Sequence, residues 1–417
     1  MPKRKCLIVT THYRPLTGGA QAVYDALCSA APEHFAVLTA SHDYTTGREV
    51  EAWRSFDGKV PYEIVRVPAM RPGLLGPKPG IGARVMSHLG ASLLKRRVLR
   101  AVLDTARETG ASVICIGALD ALGWLVGPVR RKTGLPVVIY THGEEISQQA
   151  HNARAEARRR KTLQAADGVI AVSSFTTQLI EQKYGVAQKA IKWLGNGVDL
   201  AKFNSRPTEN VRMQFGLGAG PLVLSVGRLV ARKGFDRLLE AWPRILASVP
   251  EAQLAIVGKG PLEADLVERA GVPEMKGSVH MLGHVSDGAL PSLYASADLF
   301  VMPNRTLPDG DTEGFGLVFL EAAAAGTPSV GGRAGGAVDA IVDGTTGLLV
   351  DGEDTGAIAF AVTDLLKDEV KRLKMGDAAR THALTQGWDN KAAELLFWLD
   401  RIETRDSSGD REEVDRG

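Results

Sequence analysis

The chain has very little cysteine. Its three cysteines among 417 residues, Cys6, Cys28 and Cys115, lie far apart, and two of them sit in apolar, strand-like runs. That set makes neither a disulfide framework nor the paired spacing of a zinc site. It predicts buried free thiols and a reducing, cytoplasmic setting. A dominant charge is also missing. Lys and Arg number 50 against 48 Asp and Glu, a formal net charge of +2, which argues against a dedicated nucleic-acid binder. No stretch reaches the roughly 20 apolar residues of a membrane-spanning helix. The basic start Met1-Pro2-Lys3-Arg4-Lys5 leads into an apolar run that breaks at Thr10-Thr11-His12. That fits a first strand and not a signal peptide. No Asp-x-Asp metal motif is recognised in a suitable loop, and no cofactor is expected.

What is present repeats. A chain of this length is too long for one core, so two domains are expected. Short apolar runs bounded by turn residues predict buried parallel strands over 6–10, 35–38, 62–67, 113–117, 136–140 and 168–172. The pattern restarts over 222–226, 253–257, 279–285, 298–303, 329–331 and 347–350. Helical runs alternate with these strands, among them 81–103, 153–162, 235–247, 354–366, 370–384 and 390–402. The resulting division is an N-terminal α/β half over 1–196, a C-terminal α/β half over 197–386 and a last helix over 387–404. The tail 405–417 is charged, lacks apolar anchors and is expected to be disordered. Two helices carry basic clusters, Lys95-Arg96-Arg97 and Arg154 with Arg158-Arg159-Arg160-Lys161. These are either solvated faces or a patch for an anionic membrane surface.

The run Glu313-Gly314-Phe315-Gly316-Leu317-Val318-Phe319-Leu320-Glu321 follows an apolar strand and leads into a helix that stops at Gly326-Thr327-Pro328. Glu313 is expected in a loop and Glu321 on the helix about two turns later. Glycine at 314 and 316 lets backbone approach a ligand closely. The N–H groups of Phe315, Gly316 and Leu317 then stand at a helix N-terminus, where a diphosphate is favoured. Gly18-Gly19 opens a helix after the first strand in a similar way, without the G-x-G-x-x-G dinucleotide spacing. Arg228 and Lys233 lie in a strand-to-helix loop, a forked donor and a point charge suited to a diphosphate. His142 stands just past the carboxyl end of a strand, where open α/β sheets bind ligands. His280 and His284 lack a third ligand and are not read as a metal pair.

Glu-x7-Glu after an apolar strand, then Ala-Gly-Thr-Pro and Ala-Gly-Gly-Ala, resembles the retaining glycosyltransferases of family 4. The resemblance runs from Cys6 to about Trp398. It implies the GT-B fold, two Rossmann-like domains facing across a cleft, with the last helix returning to the N-terminal domain. Within the family, Val301-Met302-Pro303-Asn304-Arg305-Thr306 is most similar to the bacterial phosphatidylinositol-monomannoside mannosyltransferases. The resemblance implies transfer of a sugar from a nucleotide diphosphate-sugar, GDP-mannose foremost, to an alcohol that is lipid-linked or a glycan. It implies that Arg228, Lys233, the N–H groups after Gly314 and the Gly18-Gly19 loop neutralise the leaving diphosphate without a metal. By the same resemblance Glu321 holds ribose hydroxyls, Val285 lies against the base, Glu313 holds sugar hydroxyls and His142 faces the sugar. A UDP- or ADP-sugar enzyme with a soluble acceptor, a non-hydrolysing epimerase and an inactive nucleotide-binding scaffold are the competing readings. Nothing in the residues reads the base or the acceptor.

Overall fold

The computed structural model describes residues 4–72, 81–204 and 211–403. The expectation for the tail, and part of that for the proline- and glycine-rich loop 68–80, lie outside them.

Runs of branched aliphatic residues that are apolar throughout can be satisfied only where both faces are covered. They form two all-parallel sheets. In the first half the strands are β1 (Cys6–Val9), β2 (Phe35–Ala40), β3 (Glu63–Val67), β4 (Val113–Ile116), β5 (Val137–Thr141), β6 (Gly168–Ala171) and β7 (Ile191–Trp193), in the order β3-β2-β1-β4-β5-β6-β7. In the second half they are β8 (Leu222–Val226), β9 (Gln253–Val257), β10 (Val279–Gly283), β11 (Leu299–Met302), β12 (Ser329–Gly332) and β13 (Gly347–Val350), in the order β10-β9-β8-β11-β12-β13. The strand order reverses between β1 and β4 and between β8 and β11. Such switch points open a crevice at the carboxyl ends of the strands. These are the two Rossmann-like halves of the expected fold.

Several sequence expectations shift at their edges. The short strand β7 was not expected, because three residues at a partly exposed sheet edge carry little pattern. The helix read over 81–103 runs to Thr109. Val102, Thr105, Ala106 and Thr109 are buried at helical spacing and continue its inner face, the Thr109 hydroxyl donates to the Thr105 carbonyl at 2.7 Å, and Gly110 with φ +68° ends it. The last helix spans Trp388–Leu399 and lies on the first half. There Lys192 pairs with Glu394 at 2.6 Å, Lys391 donates to the Leu194 carbonyl at 3.0 Å, and Arg4 donates to the Leu399 and Ile402 carbonyls at 3.0 and 2.9 Å. Trp398 occupies the space above Gly168, where a Cβ would lie 2.6 Å from the indole.

The basic helix spans Ala153–Ala165, and one of its cations is internal. Arg159 is buried and binds both carboxylate oxygens of Asp120 at 3.0 and 2.9 Å. It therefore leaves the expected surface patch. Arg154, Arg158, Arg160 and Lys161 remain exposed, as do Lys95, Arg96 and Arg97. No described helix is long and apolar enough to cross a membrane.

Candidate active site between the two halves

The carboxyl ends of β5, β8 and β11 bring three loops together. After β8, Lys233 ends a short turn and is buried against Glu313, its ammonium paired with the Glu313 carboxylate. Burial alone would raise the Glu313 carboxyl. The Lys233 and Arg232 charges and the Phe315 N–H outweigh it and hold the group below its ordinary range. Glu313 is thus ionised and positioned, and its partner is the cation the sequence had set aside for a phosphate.

The helix Leu317–Ala325 starts at Gly316, whose φ of 88° lets the chain turn sharply into it. Glu321 lies on that helix and accepts from the Tyr294 hydroxyl at 2.8 Å. Burial raises its carboxyl, while Tyr294, Lys202 and Lys233 oppose the shift. The Glu313 loop rests on Gly335 and Gly336, where added Cβ atoms would stand 2.2 Å from the Glu313 carbonyl and 2.0 Å from the Gly314 carbonyl. The insert 304–313 is pinned at both ends. Arg305 forks onto Asp236 at 2.9 and 2.8 Å, and the Thr306 and Thr312 hydroxyls meet at 2.9 Å.

From the other half comes the loop after β5. Gly143 adopts φ 112° and lies against Gly314. The His142 ring stacks on Tyr140 with centroids 4.9 Å apart, and its Nε2 lies 2.6 Å from the Tyr24 hydroxyl. That hydroxyl donates to the Gly117 carbonyl at 3.1 Å, because a carbonyl cannot donate. The Tyr24 oxygen must then accept, which assigns the His142 proton to Nε2. Burial pushes the imidazole down to about 3, so the ring is neutral. The His142 N–H donates to Glu145 at 2.6 Å.

The expected site residues therefore divide. His142, Lys233, Glu313, Gly314, Phe315, Gly316 and Leu317 gather at one seam, and Glu321 stands on the adjoining helix. Val285 is buried in the core of the second half, in the loop after β10. Arg228 is exposed and holds no ion pair among the described residues. Gly18 and Gly19 are exposed. A Cβ on Gly19 would meet nothing within 4 Å and one on Gly18 only the mobile end of Gln21, so packing inside the protein does not require glycine at either place.

Four residues escaped the sequence reading. Glu145, and not its half-exposed neighbour Glu144, accepts the His142 N–H, and nothing in a Glu-Glu pair says which one turns inward. Arg232 stands beside Lys233 and pairs with Glu144 at 2.6 Å and Asp311 at 3.1 Å. Tyr24 is distant in sequence from His142. Asn196 stands in an Asn-Gly pair that by itself signals only a turn, yet its Oδ1 is buried without a hydrogen-bond partner. Its neighbour Gly195 adjoins the Phe315 ring. The Asp-x-Asp reading needs correction as well. The insert contains Asp309-Gly310-Asp311, in which Asp311 pairs with Arg232 and Asp309 accepts the Asp311 N–H at 3.0 Å. Among the described residues no group of three or more His, Cys, Asp and Glu is placed to hold a metal ion. His280 instead bonds Gln253 at 2.8 Å.

Two family models match the chain, Glycosyltransferase Family 4 over residues 17–202 and Glycosyl transferases group 1 over 208–382. A GDP-mannose-dependent alpha-(1-6)-phosphatidylinositol monomannoside mannosyltransferase of Mycolicibacterium smegmatis is 34% identical over 94% of this chain and 97% of the relative. The protein of the same description from Mycobacterium tuberculosis is 32% identical over 95% and 98%. Among solved structures, Anabaena HepE in complex with UDP superposes with a TM-score of 0.74 at 20% identity, covering 95% of this chain and 99% of that one. Sucrose-phosphate synthase of Thermosynechococcus elongatus does so with 0.71 at 21%, covering 96% and 99%.

Proposed function

This chain belongs to glycosyltransferase family 4, and from that premise we propose that it transfers mannose from GDP-mannose, with retention, to a lipid-linked alcohol of the inositol-phospholipid class. One observation carries the reading. The His142 loop of one half and the Glu313 loop of the other meet backbone to backbone, beside the buried Lys233. The names of the mycobacterial relatives support the donor and the acceptor.

The first half, through residue 196, takes the acceptor. The second half, through 386, takes the donor, and the last helix ties the two. The donor diphosphate lies between Arg228, Lys233 and the N–H groups that open the Leu317–Ala325 helix, with the Gly18-Gly19 loop closing from the first half. These fixed charges and dipoles stabilise the leaving diphosphate without a metal. Glu321 accepts from ribose hydroxyls, and the base lies near Val285. Glu313 and the unpartnered Asn196 Oδ1 hold sugar hydroxyls. His142, neutral and tied to Tyr24, acts through shape and hydrogen bonding and not through charge. The bond from sugar C1 to the phosphate oxygen breaks as the acceptor oxygen bonds C1 on the same face. The acceptor proton passes to the departing phosphate oxygen. The exposed basic residues of both helices hold the protein at an anionic lipid surface.

The test is turnover. Radiolabelled GDP-mannose with an inositol phospholipid bearing one mannose should give an α-linked product, while UDP- and ADP-sugars should not. Glu321→Gln and Arg228→Ala should each lose roughly 10- to 100-fold in kcat/KM, as expected for removing a charged hydrogen-bond partner of about 1.5–3 kcal/mol. Wild-type kinetics in both variants would remove these residues from the site.

A further inference from the structure

We propose that Arg232 is a positioning residue that sets the two facing loops in register, using Glu144 of the first half as its anchor. The inference rests on the functional reading above and adds a residue that this reading leaves idle. Three segments converge on Arg232. Its Nη2 lies 2.6 Å from Glu144 Oε1, on the residue after Gly143. Its Nη1 lies 3.2 and 3.1 Å from the two Asp311 oxygens, inside the insert 304–313. Its own carbonyl accepts the Arg305 N–H at 2.8 Å. The next residue, Lys233, holds Glu313. One guanidinium therefore joins the loop bearing His142, the loop bearing Lys233 and the segment leading into Glu313.

The group is not free to serve as a phosphate ligand. Two carboxylates already balance its charge, and its Nε is buried without an acceptor. A planar fork fixes the directions in which its donors meet the two carboxylates, which the flexible, point-like ammonium of a lysine does not. The two ends differ in burial. The Asp311 side chain is 13% exposed and Glu144 is 51% exposed. Neutralising Glu144 cuts the link between the halves and leaves no buried charge alone, so Glu144→Gln separates positioning from folding.

A double-mutant cycle with Arg232→Gln and Glu144→Gln tests this. Each change should lower kcat roughly 10- to 100-fold, since a misplacement of about 1 Å costs on that order. GDP affinity measured by calorimetry should stay within about twofold, and the double variant should be no worse than Arg232→Gln alone. Additive losses, or GDP affinity falling as far as kcat, would overturn the proposal. Small-angle scattering of the full chain with GDP reads the seam without turnover. Glu144→Gln should scatter as a more open particle than wild type, and superimposable profiles would also overturn it. If wild type turns over no sugar nucleotide yet the scattering changes, the functional reading has failed and the link between the halves stands.

Discussion

A Cβ added to Gly314 would stand 2.0 Å from the carbonyl oxygen of His142. The reverse contact is nearly as tight, since a Cβ on Gly143 would lie 2.6 Å from the Gly314 Cα. Both clashes are with backbone, which no rotamer change relieves. Gly314→Ala must therefore push the two loops apart by part of an ångström or more. Misplacement on that scale costs about 100-fold in rate. We expect kcat to fall by about that factor while the melting temperature changes little, because the clash is at a seam and not in either core. A Gly314→Ala enzyme with wild-type kcat would mean that the seam is not where transfer occurs.

Glu145 should make the stability of the chain depend on pH. Burial raises its carboxyl to about 7, helped by Glu144 and Asp120 and opposed by the His142 N–H and its own, against an ordinary 4.5. The folded chain thus holds this proton more tightly than the unfolded chain. Stability from that proton is complete below pH 4.5 and is lost as pH rises through about 7. Glu145→Gln keeps an oxygen for the His142 N–H and removes the titration. The melting temperature of wild type relative to Glu145→Gln should therefore fall between those two pH values. Parallel melting curves across that range would show that Glu145 does not titrate there.

Much of the fold is legible in the sequence. Most strands announce themselves because a parallel strand covered on both faces is apolar throughout, the edge strands β3 and β10 are legible from mixed runs, and twelve of the thirteen fall on runs the sequence marks as strands. The exception, β7, is a partly exposed edge of three residues, where burial leaves no mark on composition. Candidate site residues are legible where backbone chemistry restricts the residue type, as at Gly314, and where charges stand in a strand-to-helix loop, as at Lys233. Partners are not legible. Local pattern does not say that Lys233 faces Glu313, that Arg159 turns inward to Asp120, or that Tyr24 holds His142. Those pairings are set by how strands far apart in sequence line up in the sheet and by how the halves meet.

The basic faces make a prediction about lipid surfaces. Lys95, Arg96 and Arg97 are exposed beside Leu93, itself 54% exposed, and four exposed cations remain on the Ala153–Ala165 helix after Arg159 is removed from the set. Each basic residue near an anionic surface is worth about 1 kcal/mol, enough together for reversible attachment. The chain should co-sediment with vesicles containing phosphatidylserine or phosphatidylinositol, release with added salt, and bind more weakly when Lys95, Arg96 and Arg97 are neutralised together. If it ignores such vesicles at low salt, both faces are merely solvated and a soluble acceptor becomes the better reading.

Two of the carboxylates in this region are already paired with cations. Glu313 is paired with Lys233 and Asp311 with Arg232, while Asp309 is exposed and accepts the Asp311 N–H. A divalent cation at Asp309-Gly310-Asp311 would have to compete with the Arg232 guanidinium for Asp311 and settle beside that charge. At separations of a few ångströms, like charges repel by several kcal/mol even at an effective dielectric constant of about 20. Organic cations and helix N–H groups can supply the same stabilisation of a leaving diphosphate without that conflict. Turnover should therefore persist in excess EDTA within about twofold, and Asp309→Asn should keep wild-type kinetics. Activity that disappears with chelator and returns with magnesium or manganese, and is lost in Asp309→Asn, would reverse the assignment and make this pair the metal site.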